Sequence, residues 1–345
     1  MIKVLDCTLR DGGWVNGFNF GKEIIREIES NIAASGIEFI ELGYLDENAG
    51  SPLDRSMYST WEAVKDNIGE EILSGSDILR LVMIDYGKFS ADSLPEYMGR
   101  EKMGFDAIRV CFHKENEKGA LEFGRKILDK GYKLFIQPMV TSRYSDDEIL
   151  RLIEDVQAYI PEVSAFYIVD SFGVMDESEV RDRVKLVDLV LSSDIALGLH
   201  THDNRRLCFE NARTAVELPL TEGRQIIIDS SISGLGKGPG NLVTEEFTEY
   251  LNMNFGKTYD IERIRHLAKE IMLPMRDRFN WGYKQQYELT AKYHATSSYG
   301  KFLCEDNGFT LAELEEFLKG MPEDKKDSFN KKFAEMYVAV HNDSK

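Results

Sequence analysis

Eight short runs rich in β-branched and other apolar residues recur along this chain at intervals of roughly 25–40 residues, about the length of one strand-plus-helix unit. They are Ile2–Thr8, Phe39–Tyr44, Leu79–Ile84, Ala107–Phe112, Lys133–Val140, Ala165–Val169, Ala196–His202 and Gln225–Ser230. Between them lie segments such as Glu23–Ala34 and Ile149–Tyr159, where apolar residues return every three or four positions, as on one face of a helix. Such alternation predicts a parallel sheet, and runs that are apolar nearly throughout are those of strands covered on both faces. Eight equal units suit a closed (β/α)8 TIM barrel better than an open doubly wound sheet. After Glu245 only helix-period segments remain, around Ile261–Met275, Tyr287–Leu303 and Leu311–His341. The expected organisation is a barrel over residues 1–250 and a helical C-terminal extension over 251–345.

Charge narrows the function classes. With 60 acidic against 42 basic side chains, the formal charge is −18, so the surface repels phosphate backbones and anionic membranes, and neither nucleic acid nor membrane is expected as a partner. The four cysteines, Cys7, Cys111, Cys208 and Cys304, have neither zinc-site pairing nor disulfide-scaffold density and read as reduced thiols. The first residues, MIKVLDCTLRDGG, are strand-like, with no basic n-region or apolar h-region. A cytoplasmic location is therefore expected.

In a barrel the chemistry sits at the carboxyl ends of the strands. The first run ends in Thr8-Leu9-Arg10-Asp11-Gly12-Gly13, the seventh in His200-Thr201-His202-Asp203-Asn204, and Gly234-Leu235-Gly236-Lys237-Gly238-Pro239-Gly240-Asn241 follows the eighth. Barrel closure makes these three neighbours. His200 and His202, two apart on a strand, project to one side with about 7 Å between them, a chelating pair. Asp11 and the amide oxygen of Asn241 can complete a mixed nitrogen–oxygen site that accepts Mg²⁺, Mn²⁺, Co²⁺, Fe²⁺ or Zn²⁺. Each element has a plain structural reading: a half-exposed His-x-His, a salt bridge at Arg10-Asp11, turn glycines. Their joint placement at adjacent strand ends favours the metal site.

The segments LDCTLRDGG, LGLHTHDN and DSSISGLGKGPGNLVTE resemble the three signature segments of the DRE-TIM metallolyase superfamily. That group includes 4-hydroxy-2-oxovalerate aldolase, HMG-CoA lyase and the isopropylmalate, homocitrate and citramalate synthases. The resemblance implies that Asp11, His200 and His202 are metal ligands, that Asn241 supplements them, and that Arg10 stabilises an enolate. It also puts Mn²⁺ or Mg²⁺ ahead of Co²⁺ or Zn²⁺, and it implies a homodimer. The implied activity is metal-dependent cleavage or formation of a carbon–carbon bond in a 4-hydroxy-2-oxo acid, with a 2-oxo acid and an aldehyde as the small-molecule partners.

The chain also departs from its relatives. After Arg10-Asp11-Gly12 it reads Gly13-Trp14-Val15-Asn16, without the histidine base of the ketoacid aldolases or the Glu-Gln of the synthases, and the glycine-rich segment lacks the lyase cysteine. Two alternatives stand beside this activity: an acyl-CoA/2-oxo acid Claisen-condensing synthase, against which the missing Glu-Gln weighs, and a non-catalytic metal-binding barrel subunit, which the missing histidine favours and the intact metal set opposes. The base is expected from the segment Trp281–Gly300, with His294 and Tyr299 as catalytic candidates and Tyr283 in reserve. On one helix His294 and Tyr299 would lie some 140° apart. Glu41 and Asp170 are read as orienting ligands or substrate, and Gly236, Gly238 and Lys237 as holding a substrate anion through backbone N–H groups. His113 and His266 read as surface histidines.

Overall fold

The computed structural model describes residues 1–50, 54–69 and 76–343. Its strands are β1 (Ile2–Asp6), β2 (Phe39–Leu45), β3 (Met57–Tyr58), β4 (Leu79–Asp85), β5 (Ala107–Phe112), β6 (Lys133–Pro138), β7 (Ala165–Asp170), β8 (Ala196–Thr201) and β9 (Ile226–Ser230). Their order is β1-β9-β8-β7-β6-β5-β4-β2-β3, and pairing of β1 with β2 closes an eight-stranded parallel barrel, the two-residue β3 being an appendage on β2. This is the (β/α)8 barrel that the eight apolar runs predict.

Alternation along each strand sorts side chains to two faces. Leu5, Phe39, Leu81, Ala107, Phe135, Ala165, Tyr167, Ala196 and Ile227 form a small apolar cluster inside the barrel, whereas intervening residues such as Val4, Ile40, Val82, Ile108, Ile136 and Leu197 join the large core under the helices. Those helices follow local rules. Asp146–Tyr159 starts with a capping box, Ser145 accepting from the Glu148 amide and Glu148 returning to Ser145, and buries Ile149, Leu152, Ile153 and Val156 on one stripe. Each such side chain stabilises the fold by about 1.5–3 kcal/mol through burial.

The barrel's apolar core continues past residue 250, through Ile264, Leu267, Met272, Trp281 and Ala291. A second core, built on Tyr299, Leu303, Leu314, Phe317 and Leu318, begins only at Ala295.

The C-terminal helices differ in detail from expectation. Helical residues run from Ile261 through a π-helical turn to Phe279. The segment 287–303 is not one helix: Gln285–Lys292 ends in a Schellman turn, in which Ala295 N–H donates to Thr290 O at 3.0 Å and His294 N–H to Ala291 O at 2.8 Å. His294 takes the left-handed position of that turn, with φ +51°. The last predicted helix is two, Leu311–Lys319 and Lys331–Asp343, broken around Gly320 and Pro322. All four cysteines are free. Among the described residues, no helix is long and apolar enough to cross a membrane.

Candidate metal centre

β8 carries Gly198 and His200 on its inner face, and His202, just beyond it, pairs with Asn241 in an isolated antiparallel bridge. Their ring centroids lie 5.0 Å apart and nearly perpendicular, closer than strand spacing alone suggests because the rings turn toward each other. Asp11 ends the single helical turn Thr8–Asp11 that follows β1. One ligand atom from each of Asp11, His200 and His202 lies within 4.8 Å of the others. Asn241 Nδ2 donates to Asp11 Oδ2 at 2.8 Å, leaving its Oδ1 buried without a partner, and His202 Nδ1 is also buried and unpartnered. An unsatisfied buried acceptor costs on the order of 1–3 kcal/mol, so these orphans fit a bound cation. A carboxylate, two imidazoles and an amide oxygen make a donor set suited to Mn²⁺, Mg²⁺, Co²⁺ or Zn²⁺.

Protonation states favour ligation. Burial pushes the His202 imidazole down to about 4, against the pull of Asp11 and helped by His200, Arg10 and Lys237, so the ring is neutral at pH 7. For Asp11, burial alone would raise the carboxyl, but Arg10 and the two histidines outweigh it and hold it well below the usual carboxylate range. His200 Nδ1 meets Asp229 Oδ2 at 3.0 Å, which sets its tautomer and leaves Nε2 free. Burial would likewise raise Asp229, but Arg109 and His200 bring it down to about 2.

Arg10, only 3% exposed, donates from Nε to Glu41 Oε2 and from Nη1 to Asp11 Oδ1, both at 2.6 Å, and its Nη2 is buried with no partner. The residue borders the same cavity as the ligand cluster, a space of about 240 Å³. Lys237 enters this cavity with its ammonium 5.3 Å from the Trp14 ring centroid. Burial lowers the Lys237 ammonium, against Asp11 and Asp85. The C-terminal extension contributes Thr296, Ser297 and Asp327–Phe329 to the cavity wall. Val140, at the exit of β6, lies there at φ +56°, a rare conformation for a β-branched residue and one that concentrates at functional sites.

The remaining sequence candidates lie partly around this cavity and partly away from it. Glu41 is fully buried and reaches the cavity only through Arg10. Asp170 spends its carboxylate oxygens on the amides of Val174 and Met175, at 3.0 and 2.9 Å, and so braces a loop instead of touching the cavity. Gly236 is pressed against the candidate ligands Asn241 and Asp11: a Cβ there would lie 2.3 Å from Asn241 Nδ2 and 2.6 Å from Asp11 Oδ2. Gly238, at φ +63°, meets the extension, where a Cβ would lie 2.4 Å from Ser297 Oγ. Tyr299 is fully buried in the second core, its hydroxyl donating to Lys325 O at 2.7 Å and accepting from Asn330 N–H at 3.0 Å. His294 lines a separate cavity with Glu179 and Arg205, because the Schellman turn carries it away from the extension's cavity-facing residues. Tyr283 is tied to Glu288 and stacks under Arg206. His113, expected at the surface, instead lines the metal-site cavity. Sequence reasoning missed Arg109 and Asp229 altogether; the available signal was a charged residue inside each of two otherwise apolar strands.

Residues 109–271 match the family described as HMGL-like. A 4-hydroxy-2-oxovalerate aldolase from Geobacillus genomosp. 3 is 27% identical over 311 residues, covering 87% of this chain and 88% of the relative. Among solved structures, the carboxyl transferase domain of Rhizobium etli pyruvate carboxylase superposes with a TM-score of 0.72 at 14% identity, over 99% of this chain and 60% of that one. An HMG-CoA lyase from Acenitobacter baumannii, in complex with coenzyme A and 3-methylmalate, gives 0.58 at 17% identity, over 82% and 92%. At these identities the structural likeness concerns the fold.

Proposed function

We infer, from the HMGL-like domain that this chain carries in residues 109–271, that it is a carbon–carbon lyase of the aldolase type. Its substrate on this reading is a 4-hydroxy-2-oxo acid, cleaved to or formed from a pyruvate-type 2-oxo acid and an aldehyde, and its cofactor is one divalent metal ion. The observation that carries the reading is the convergence of Asp11, His200 and His202 beside the unspent Nη2 of Arg10.

When bound by Asp11, His200, His202 and Asn241, a divalent ion supplies Lewis-acid polarisation of a 2-oxo group. The chain's own residues do the rest. Arg10 has one free N–H-bearing nitrogen for the oxyanion that develops as the bond beside the carbonyl breaks, and a donor held rigidly by Glu41 and Asp11 needs no reorganisation at that moment. Lys237 adds a second positive charge to the wall that meets an anionic substrate. Trp14, Phe172 and Phe329 give the cavity wall its aromatic part. The proton of the 4-hydroxyl needs an acceptor, and His113 is the cavity-lining histidine outside the ligand pair. An imidazole needs the least tuning for that work near neutral pH, so His113 takes the role that the sequence reserved for His294.

The test is C3 proton exchange of pyruvate, oxaloacetate or 2-oxobutyrate in D₂O, followed by NMR with Mn²⁺ present. Wild-type protein is expected to exchange at least one of them. Arg10→Lys should retain Mn²⁺ yet slow exchange by orders of magnitude, since a point charge cannot reproduce the guanidinium's planar donors. Absence of exchange with all three acids, from protein holding one Mn²⁺ per chain, defeats the reading.

A further inference from the structure

Below the ligand cluster, the barrel interior holds charged groups that the chemistry above does not use. Arg109, on β5, is fully buried. Its Nη1 donates to Asp229 Oδ2 at 2.6 Å and to Gln137 Oε1 at 2.7 Å, and its Nη2 reaches Tyr167 Oη at 3.2 Å. Its Nε stands 3.1 Å from Glu41 Oε1, an ion pair outside hydrogen-bond geometry in which both atoms have no other partner. The guanidinium also lies over the Tyr167 ring, 4.3 Å from its centroid, and that ring is seated against Gly198, where a Cβ would come within 2.4 Å of it. The partners come from β2, β6, β7 and β9.

Joined to the contacts already described, these distances close a ring. Asp11 binds Arg10, Arg10 binds Glu41, Glu41 meets Arg109, Arg109 binds Asp229, Asp229 binds His200, and His200 returns to Asp11 at the ligand cluster. Both functional ends of the site, the oxyanion donor and a metal-ligating imidazole, thus hang from one side chain. A planar guanidinium faces two carboxylates at once, here Asp229 through a hydrogen bond and Glu41 as an ion pair, a spread of donors that a single ammonium nitrogen does not offer.

We propose that Arg109 is a positioning residue that couples the two halves of the site, setting the reach of Arg10 through Glu41 and the orientation of His200 through Asp229. This rests on the metal-centre reading given above. Outer partners of metal-ligating histidines tune affinity by about 10–100-fold, and Arg109 is the group that holds such a partner in place.

The experiment measures three quantities on full-length protein: Mn²⁺ dissociation constant, pyruvate C3 exchange at saturating Mn²⁺, and melting temperature. Arg109→Lys is expected to weaken Mn²⁺ binding about tenfold or more and also to slow exchange after Mn²⁺ is saturating. Asp229→Asn should weaken Mn²⁺ comparably but slow saturated exchange less, because the Glu41 limb survives. Where Arg109→Lys does not fold, the charge-balanced double variant Arg109→Gln with Asp229→Asn takes its place, and it must exchange more slowly than Asp229→Asn alone. A variant that melts lower yet binds Mn²⁺ and exchanges like its parent assigns Arg109 to structure only and overturns the proposal. Wild-type protein that binds Mn²⁺ without exchanging any 2-oxo acid counts against the chemistry, while the Mn²⁺ constants still decide the Arg109–Asp229 limb. Wild-type protein that binds no Mn²⁺ removes the metal centre and the proposal together.

Discussion

Gly236→Ala is a sharp perturbation because its local and tertiary effects have opposite signs. Gly236 is not among the glycines at positive φ, so an alanine there meets no backbone strain. Taken alone it should stabilise the fold by about 0.4–1 kcal/mol by restricting the unfolded chain. The added methyl, however, would lie 2.3 Å from Asn241 Nδ2 and 2.6 Å from Asp11 Oδ2, where side-chain carbons keep at least 3.0 Å. Both groups must retreat by more than the roughly 0.2 Å that metal–ligand distances tolerate. We expect apo stability to change by no more than about 1–3 kcal/mol, the usual range for overpacking. Mn²⁺ affinity should fall by at least 10–100-fold, a loss of about 1.4–2.7 kcal/mol. The assay is Mn²⁺ titration read by electron paramagnetic resonance, paired with melting curves with and without the ion. Saturating a site at 100 times its dissociation constant stabilises a fold by about 2.7 kcal/mol, so wild type should melt higher with Mn²⁺ and the variant should lose most of that increment. An alanine variant with wild-type Mn²⁺ affinity refutes the placement of Gly236 against the ligands.

Other outcomes follow from the same contacts. Purified wild-type protein should carry about one divalent ion per chain, and His200→Ala or His202→Ala should lose it, as read by elemental analysis. His294→Gly should leave turnover intact and the fold equally or slightly more stable, since glycine suits a left-handed C-cap; His113→Gln should lose aldol cleavage while retaining Mn²⁺, and the reverse pattern restores His294 as the base. Tyr299→Phe should cost roughly 1–3 kcal/mol, measured by denaturant unfolding, by stranding buried partners in the second core, with little effect on turnover. Burial, opposed by the amides of Val174 and Met175, pushes Asp170 up to about 6, above its unfolded value of about 3.9. Its contribution is therefore fully present below about pH 4 and is lost as pH rises to 6, so the stability of Asp170→Asn relative to wild type should climb across that window and then level off.

The sequence by itself determined the barrel and pointed to the candidate ligand trio, because both depend on local periodicity. A strand buried on both faces announces itself by an unbroken apolar run, and two histidines two positions apart share a face whatever the strand pairs with. Asp11, His200 and His202 were legible for that reason, together with the rule that barrel chemistry sits at strand ends. What only the tertiary structure decided is who meets whom across the interior. Arg109 and Asp229 lie 120 residues apart, and their contact, like that of Glu41 with both arginines, depends on strand register and on closure of β1 against β2, neither of which any local pattern encodes. The position of His294 is likewise tertiary: it sits in the left-handed turn after the helix Gln285–Lys292, where the chain turns at Ala295 into the second core, and lines a cavity separate from that of Asp11 and the two histidines. Tyr299 faces that core because its hydroxyl finds buried backbone partners there, and a polar group can leave water cheaply only where such partners wait.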